Sequence, residues 1–289
     1  MSEADTVFGV ARGRTETVMA HHFDGETSRR RPEELVVEEP LTVRINEVDV
    51  ATTMRTPGHD FELAVGLLHA DGALGGAAVT DIRYCATGTA VDTEFNVVSV
   101  LAPGAPEATP RLGVISSSCG LCGTEAIEDL VERISPVADA EPFLEDILLR
   151  VVSDVAGHQP VFDRTGGLHA AAAFDRNGTL LEVREDIGRH NAVDKVVGRM
   201  LLDGRLPATG LGLFLSGRAS FEMVQKAWAG GFTSVVAVSA PSALAVEAAQ
   251  SANMQLAGFA RNGTLNTYTT NRQPDSPPAD AAAQGEPVL

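Results

Sequence analysis

The sequence predicts an α/β protein, a mixed sheet flanked by helices with a smaller β-rich part ahead of it. Three observations carry that prediction. From Leu211 onward the apolar pattern runs strand, loop, helix, strand, loop, helix, strand, the βαβαβ succession that builds sheets with helices on their faces. Residues 36–55 alternate apolar and polar with β-branched side chains, the period of half-buried strands. At 44% hydrophobic and 21% charged, 289 residues suffice for one large core or two modest ones.

Taken in order, residues 1–31 and 271–289 are polar or rich in Pro, Ala and Asp, and read as solvated tails. Residues 36–55 read as a hairpin-like pair of strands. Pro57 opens a helix whose Phe61, Val65 and Leu68 recur at helical spacing, ending near Gly72, with Asp60 as a capping carboxylate. Residues 79–84 and 94–102 follow as strands, before the Pro-rich break at 102–110. Residues 112–123 read as a short strand and a loop of small residues, leading into a helix from about Thr124. The segment 135–142 (SPVADAEP) is the linker candidate, which divides the body into 32–139 and 140–270.

In the second half, 168–175 and 179–186 read as paired strands around the two-residue turn signal Asn177-Gly178. Ala192, Val193, Val196, Val197, Met200 and Leu201 mark a helix. The βαβαβ unit then uses strands 211–215 and 234–240, helices 219–231 and 241–258, and strand 264–269.

A formal charge of −17, from 22 basic and 39 acidic residues, argues against a nucleic-acid partner. No apolar run reaches the ~18 residues of a membrane span, and the first thirty residues lack a signal peptide's apolar centre, so a cytoplasmic protein is expected. Three cysteines without a secretion signal favour thiols over a disulfide framework.

Two of them form Cys119-Gly-Leu-Cys122. Such a pair serves half a zinc site, a dithiol redox couple, or a nucleophilic thiol with a neighbour. Only Cys85 remains to complete a structural zinc site, and no His is followed two places later by Glu as a zinc base deaminase requires. The Trp expected before a thioredoxin-like pair is missing, though that reading stays open. Glycines 120 and 123, serines 116–118 and the start of the following helix favour an accessible thiolate. Elsewhere, Ser216-Gly217-Arg218 falls at the carboxyl end of a predicted strand, where an ordinary βα turn and a pyrophosphate cradle look alike. Arg189-His190-Asn191 starts a helix and suits capping, phosphate binding or proton donation. His169 and Trp228 read as core residues, and Cys85 as a small hydrophobe.

Taken together, RTPGHDFELAVGLLHADG, SSSCGLCG, TGGLHAAAAFD, REDIGRHNAVDKVVG, LSGRASFEMVQKAWAGG, SAPSALAVEAA and GFARNGTLNTYT, in this order, resemble the formate dehydrogenase accessory sulfurtransferases, the FdhD family. The resemblance spans about residues 35–270 and implies a cytidine-deaminase-like core without a catalytic metal of its own. It implies that sulfur is accepted from a cysteine desulfurase as a persulfide. The recipient that the resemblance implies is the molybdenum bis(molybdopterin guanine dinucleotide) cofactor of formate dehydrogenase. Cys119 matches the persulfide carrier, Cys122 its partner, and Phe259, Ala260, Arg261, Asn262, Gly263 and Thr264 the guanine-dinucleotide contact. Ser216, Gly217, Arg218 and His190 join them as candidate cofactor-binding residues. Guanine nucleotide is the expected cofactor mimic, and a homodimer the expected assembly. The competing readings are a non-catalytic cofactor chaperone and a zinc-dependent nucleoside deaminase.

Overall fold

The computed structural model describes residues 13–85, 95–108, 127 and 130–270. The chain enters through a hairpin of β1 (Thr15–Phe23) and β2 (Ser28–Val36), antiparallel from Thr15↔Val36 to Phe23↔Ser28. This corrects the expectation of a solvated tail up to residue 31. The hairpin buries little, so its sequence lacks an apolar face; what closes it is Asp24, whose Oδ1 accepts the Glu26 and Thr27 amides at 3.1 and 2.8 Å.

Strands β3 (Glu39–Ile45) and β4 (Val48–Arg55) form the hairpin expected from their alternation, with Leu41, Val43 and Ile45 wholly buried. The helix α1 (Asp60–Ala70), then β5 (Asp81–Tyr84) and β6 (Val97–Leu101), complete a sheet in the order β4-β3-β6-β5. Almost every residue of α1 is buried, because a second helix covers the face that the sheet leaves open.

Segment 135–142, the expected linker, is tied to the second half: the Val137 amide donates to the Ala252 carbonyl at 2.9 Å, and Asn253 Nδ2 to Asp139 Oδ1 at 2.8 Å. Beyond it come α2 (Glu145–Ala156), the short α3 (Phe162–Thr165), β7 (His169–Phe174), β8 (Leu180–Asp186) and α4 (Arg189–Leu202). Then follow β9 (Gly212–Leu215), α5 (Phe221–Ala229), β10 (Ser234–Ala237), α6 (Ala243–Ser251), β11 (Gln255–Arg261) and β12 (Thr264–Thr269). Two expectations are corrected here. The helix read across 241–258 stops at Ser251, and Asn253 (φ 56°) turns the chain into β11. Buried on both faces, β11 shows no period-2 pattern and reads like a helix continuation. The β7–β8 turn spans more than Asn177-Gly178, because Asp175 pairs with Thr179 and its carboxylate takes the Asn177 and Thr179 amides.

Among the described residues these strands form a six-stranded mixed sheet, β12-β11-β10-β9-β7-β8, with β9, β10 and β11 mutually parallel. Alternate residues divide between two cores. Ala171, Ala173, Leu213, Leu215, Val235 and Leu256 face α4, α5 and α6. Ala170, Ala172, Phe174, Phe214, Val236 and Ala257 face α2. The smaller sheet joins this layer through α1 against α4. A Cβ on Gly66 would lie 1.9 Å from the Asp194 carbonyl oxygen, and one on Gly198 1.8 Å from that of Glu62, so only glycine permits this crossing. Among the described residues no helix is long and apolar enough to cross a membrane.

Candidate functional site

Parallel strands β9, β10 and β11 deliver their carboxyl ends to one edge of the sheet. The loops after β9 and β10 lie side by side there. Ser239 donates its amide to the Gly217 carbonyl at 3.2 Å, Ala219 and Pro241 form a bridge, and the Phe259 amide donates to Ser239 at 3.1 Å. Since β7 runs antiparallel to β9, its first residue, His169, arrives at the same edge. Ser216 Oγ accepts the Ala170 amide at 2.8 Å and lies 3.4 Å from His169 Nδ1. His169, expected in the core, is therefore half-buried at the edge of the site. α4, α5 and α6 start from the loops at this end, a place where α/β sheets bind anions.

Of the sequence-predicted residues, Ser216, Gly217, His190 and Phe259 are brought to this edge, and Arg218 is exposed beside them. His190 Nε2 sits 2.5 Å from Glu222 Oε2, which joins the first turn of α4 to that of α5. The His190 hydrogen bond is the main cause of a Glu222 carboxyl held below its usual range. Burial, and then the charges of Arg189 and His190, push the His169 imidazole below its usual value. A bulky residue at positive φ is a strained exception, and Phe259 is one, at 52°.

Arg261, Asn262, Gly263 and Thr264 form the β11–β12 turn. Asn262 and Gly263 both take positive φ and Arg261 pairs with Thr264, which makes this a two-residue hairpin turn. The Arg261 guanidinium stands 6.0 Å from the centre of the Phe259 ring, and Thr264 Oγ1 donates to the Arg261 carbonyl at 3.1 Å. Ala260 differs from its neighbours: its side chain is buried in the core facing α2, leaving only backbone to a ligand. Cys119 and Cys122 lie outside the described residues.

Several motif residues prove to be architecture. Asp186 and Lys195 form an ion pair of 2.7 Å with both side chains wholly buried. Asp186 also accepts the amides of Thr56 and Gly188 and the Asn191 Nδ2, at 3.2, 2.8 and 3.0 Å. Asn191 donates on to the Met54 carbonyl. Together these bonds fix the start of α4 against the end of β4. Asp60 does not cap α1: Arg55 grips its two oxygens at 3.1 and 2.9 Å, and Tyr84 donates to it. Trp228 lies in the core, donating to the Ser135 carbonyl, and Cys85 is buried. Sequence reasoning missed Glu222 and Asp186; the only sequence signal is a carboxylate beside each predicted helix start.

Comparison with known proteins places these features in a family context. A sequence model described as the FdhD/NarQ family matches residues 36–274. The sulfur carrier protein FdhD of Corynebacterium efficiens is 45% identical over 252 residues, covering 82% of this chain and 90% of that protein. The one from Streptomyces avermitilis is 48% identical over 255 residues, covering 85% and 90%. Among solved structures, a formate dehydrogenase accessory protein from Desulfotalea psychrophila shares the fold at a TM-score of 0.69. It is 21% identical, and the match covers 89% of this chain and 98% of that one.

Proposed function

Because the chain belongs to the FdhD/NarQ family, we propose that it is a sulfur carrier acting in the maturation of formate dehydrogenase. The observation that carries this reading is 45 to 48% identity to sulfur carrier proteins across more than four fifths of the chain. In finer terms the protein is a sulfurtransferase. The Cys119 thiolate attacks the outer sulfur of a persulfide on a cysteine desulfurase. The donor's S–S bond breaks, its thiolate leaves, and Cys119 holds the sulfur as a persulfide. Cys122, three residues on, shares or resolves that load.

The recipient is molybdenum bis(molybdopterin guanine dinucleotide), which is cargo and not a resident cofactor. Two features support the carboxyl edge of the main sheet as its seat. The Phe259 ring and the exposed Arg261–Thr264 turn offer a stacking face and polar contacts to a guanine. Ser216, Gly217, Arg218 and His190 surround the starts of two helices, which suits phosphate. A chain of net charge −17 needs such a local positive site to hold a polyanion. The reading places the protein in the cytoplasm as a homodimer. In cells lacking the endogenous carrier, wild type should restore formate dehydrogenase activity and Cys119→Ala should not. Full activity with Cys119→Ala would refute sulfur transfer through this residue.

A further inference from the structure

We propose that β1 is a self-pairing edge: in the homodimer the β1 strands of two copies run antiparallel and join their hairpins into one four-stranded sheet. The proposal rests on the homodimer reading above and names the surface that reading leaves open.

The β1–β2 hairpin is a sheet of its own, so each strand has an edge that pairs with no third strand among the described residues. It is fastened to the body at its root, where Arg164 pairs with Glu34 at 3.1 Å and Arg14 donates to the Glu185 carbonyl at 3.2 Å. Farther out, Val18, Met19 and Phe23 are 42%, 50% and 66% exposed. A two-stranded ribbon is marginally stable in water by itself, and additional strands are what stabilise it.

The two free edges differ. Bonds at both ends set the phase of the ladder: the Val37 amide donates to the Arg14 carbonyl at 2.9 Å, and the Asp24 amide to the Thr27 carbonyl at 3.3 Å. The register between them is unbroken, so the even-numbered residues of β1 bond across to β2. Thr15, Thr17, Met19, His21 and Phe23 turn their amides outward. Opposite Met19, Pro32 occupies an outward-facing position of β2 and supplies no N–H there, and Arg29, Arg30 and Arg31 adjoin it. Proline and a run of cations are devices that close a sheet edge. From Thr17 to Phe23, β1 carries no proline, lysine, arginine or carboxylate. The open edge is β1.

A strand pairs antiparallel with its own copy across a two-fold axis, so a second copy of this chain fits the edge from both sides at once. Two chains of net charge −17 repel, and the uncharged strip from Thr17 to Phe23 is a line along which they meet without opposing carboxylates. Nine residues at ~3.4 Å make a ribbon roughly 30 Å long, and contact about 10 Å deep along it covers about 600 Å² over both chains. Antiparallel pairing also lays each tip against the other copy's root, where Phe162 is exposed on α3 beside β2. Two tip-to-body contacts of about 300 Å² each bring the total to about 1,200 Å², where stable interfaces begin.

The test is sedimentation velocity of the full chain over a range of concentrations. Wild type should sediment as a dimer. When all nine residues pair, Met19 faces Met19 across the axis. Met19→Pro removes that outward amide where no bond to β2 is made, as Pro32 does on the facing strand. It should weaken dimerisation about tenfold or more, with a thermal melt like that of wild type. Met19→Lys keeps every amide and sets two like charges at the axis, so its dimer should weaken most at low salt. It carries the test if Met19→Pro is misfolded. Dimers of wild-type affinity in both variants overturn the self-pairing edge and leave the homodimer reading standing. Wild type that sediments as a monomer at every concentration overturns both.

Discussion

Replacing Lys195 with Met should destabilise the protein by about 3 kcal/mol, toward the lower end of the ~3–5 kcal/mol seen when one partner of a buried ion pair is removed. Its ammonium group donates to Asp186 Oδ2 at 2.7 Å and to the Thr56 carbonyl at 3.0 Å, and neither partner of the ion pair is solvent-accessible. Methionine fills similar volume but abandons the carboxylate in a low-dielectric interior. The loss is moderated because Asp186 keeps three neutral donors, the amides of Thr56 and Gly188 and the Asn191 side chain. At about 2–4 °C per kcal/mol for a chain of this size, the melting temperature should fall by roughly 6–12 °C. Urea titration, with an unchanged slope and a lowered midpoint, gives the free energy independently. Arg29→Ala is the control. It breaks an ion pair to Asp24 whose side chains are 71% and 36% exposed, so it should leave the melting temperature close to that of wild type. A Lys195→Met loss no larger than the control's would refute the claim that this pair holds the start of α4 in place.

Acid should act through Glu62. Burial raises its carboxyl, but hydrogen bonds from His59 and Arg184 prevail and bring it from 4.5 to about 2. With the folded value below the unfolded one, the contribution is complete above about pH 4.5 and is lost as pH falls toward 2. It amounts to about 3 kcal/mol. Glu62→Gln should flatten that part of the stability curve, measured by urea midpoints between pH 5 and 2.5; an unaltered slope would contradict it. Gly198→Ala should cost several kcal/mol or prevent folding, since its Cβ would meet the Glu62 carbonyl at 1.8 Å; a melting temperature near wild type would show that α1 and α4 cross less closely. Arg218→Ala and Arg261→Ala should weaken guanine-nucleotide binding in calorimetry while leaving persulfide formation on Cys119 intact; unchanged affinity would remove both from the site.

Helical spacing made α1, α4 and α5 legible within a few residues: α5 turns Met223, Val224, Ala227 and Trp228 toward a core, and α1 and α4, buried over most of their surface, still repeat apolar residues at helical intervals. The β1–β2 hairpin was hidden because its side chains are largely exposed and carry no alternation. β11 was hidden for the opposite reason, being buried on both faces. At the site, the βα turn at Ser216–Gly217 was legible from strand-to-helix order. The pairing of His190 with Glu222, and of Lys195 with Asp186, was not. These contacts are made by tertiary packing, and a sequence shows only that a carboxylate and a cation both exist. The same packing explains why Asn191, beside His190, serves the fold and not a ligand: it is turned inward to Asp186 and the Met54 carbonyl.

Intact-mass measurement shows whether Cys119 carries transferable sulfur. Purified protein is incubated with a cysteine desulfurase and cysteine, for wild type and Cys119→Ala in parallel. Wild type should gain one sulfur atom, removed by a thiol reductant and missing from Cys119→Ala. No gain on wild type, or an equal gain on the variant, would contradict sulfur transfer through Cys119.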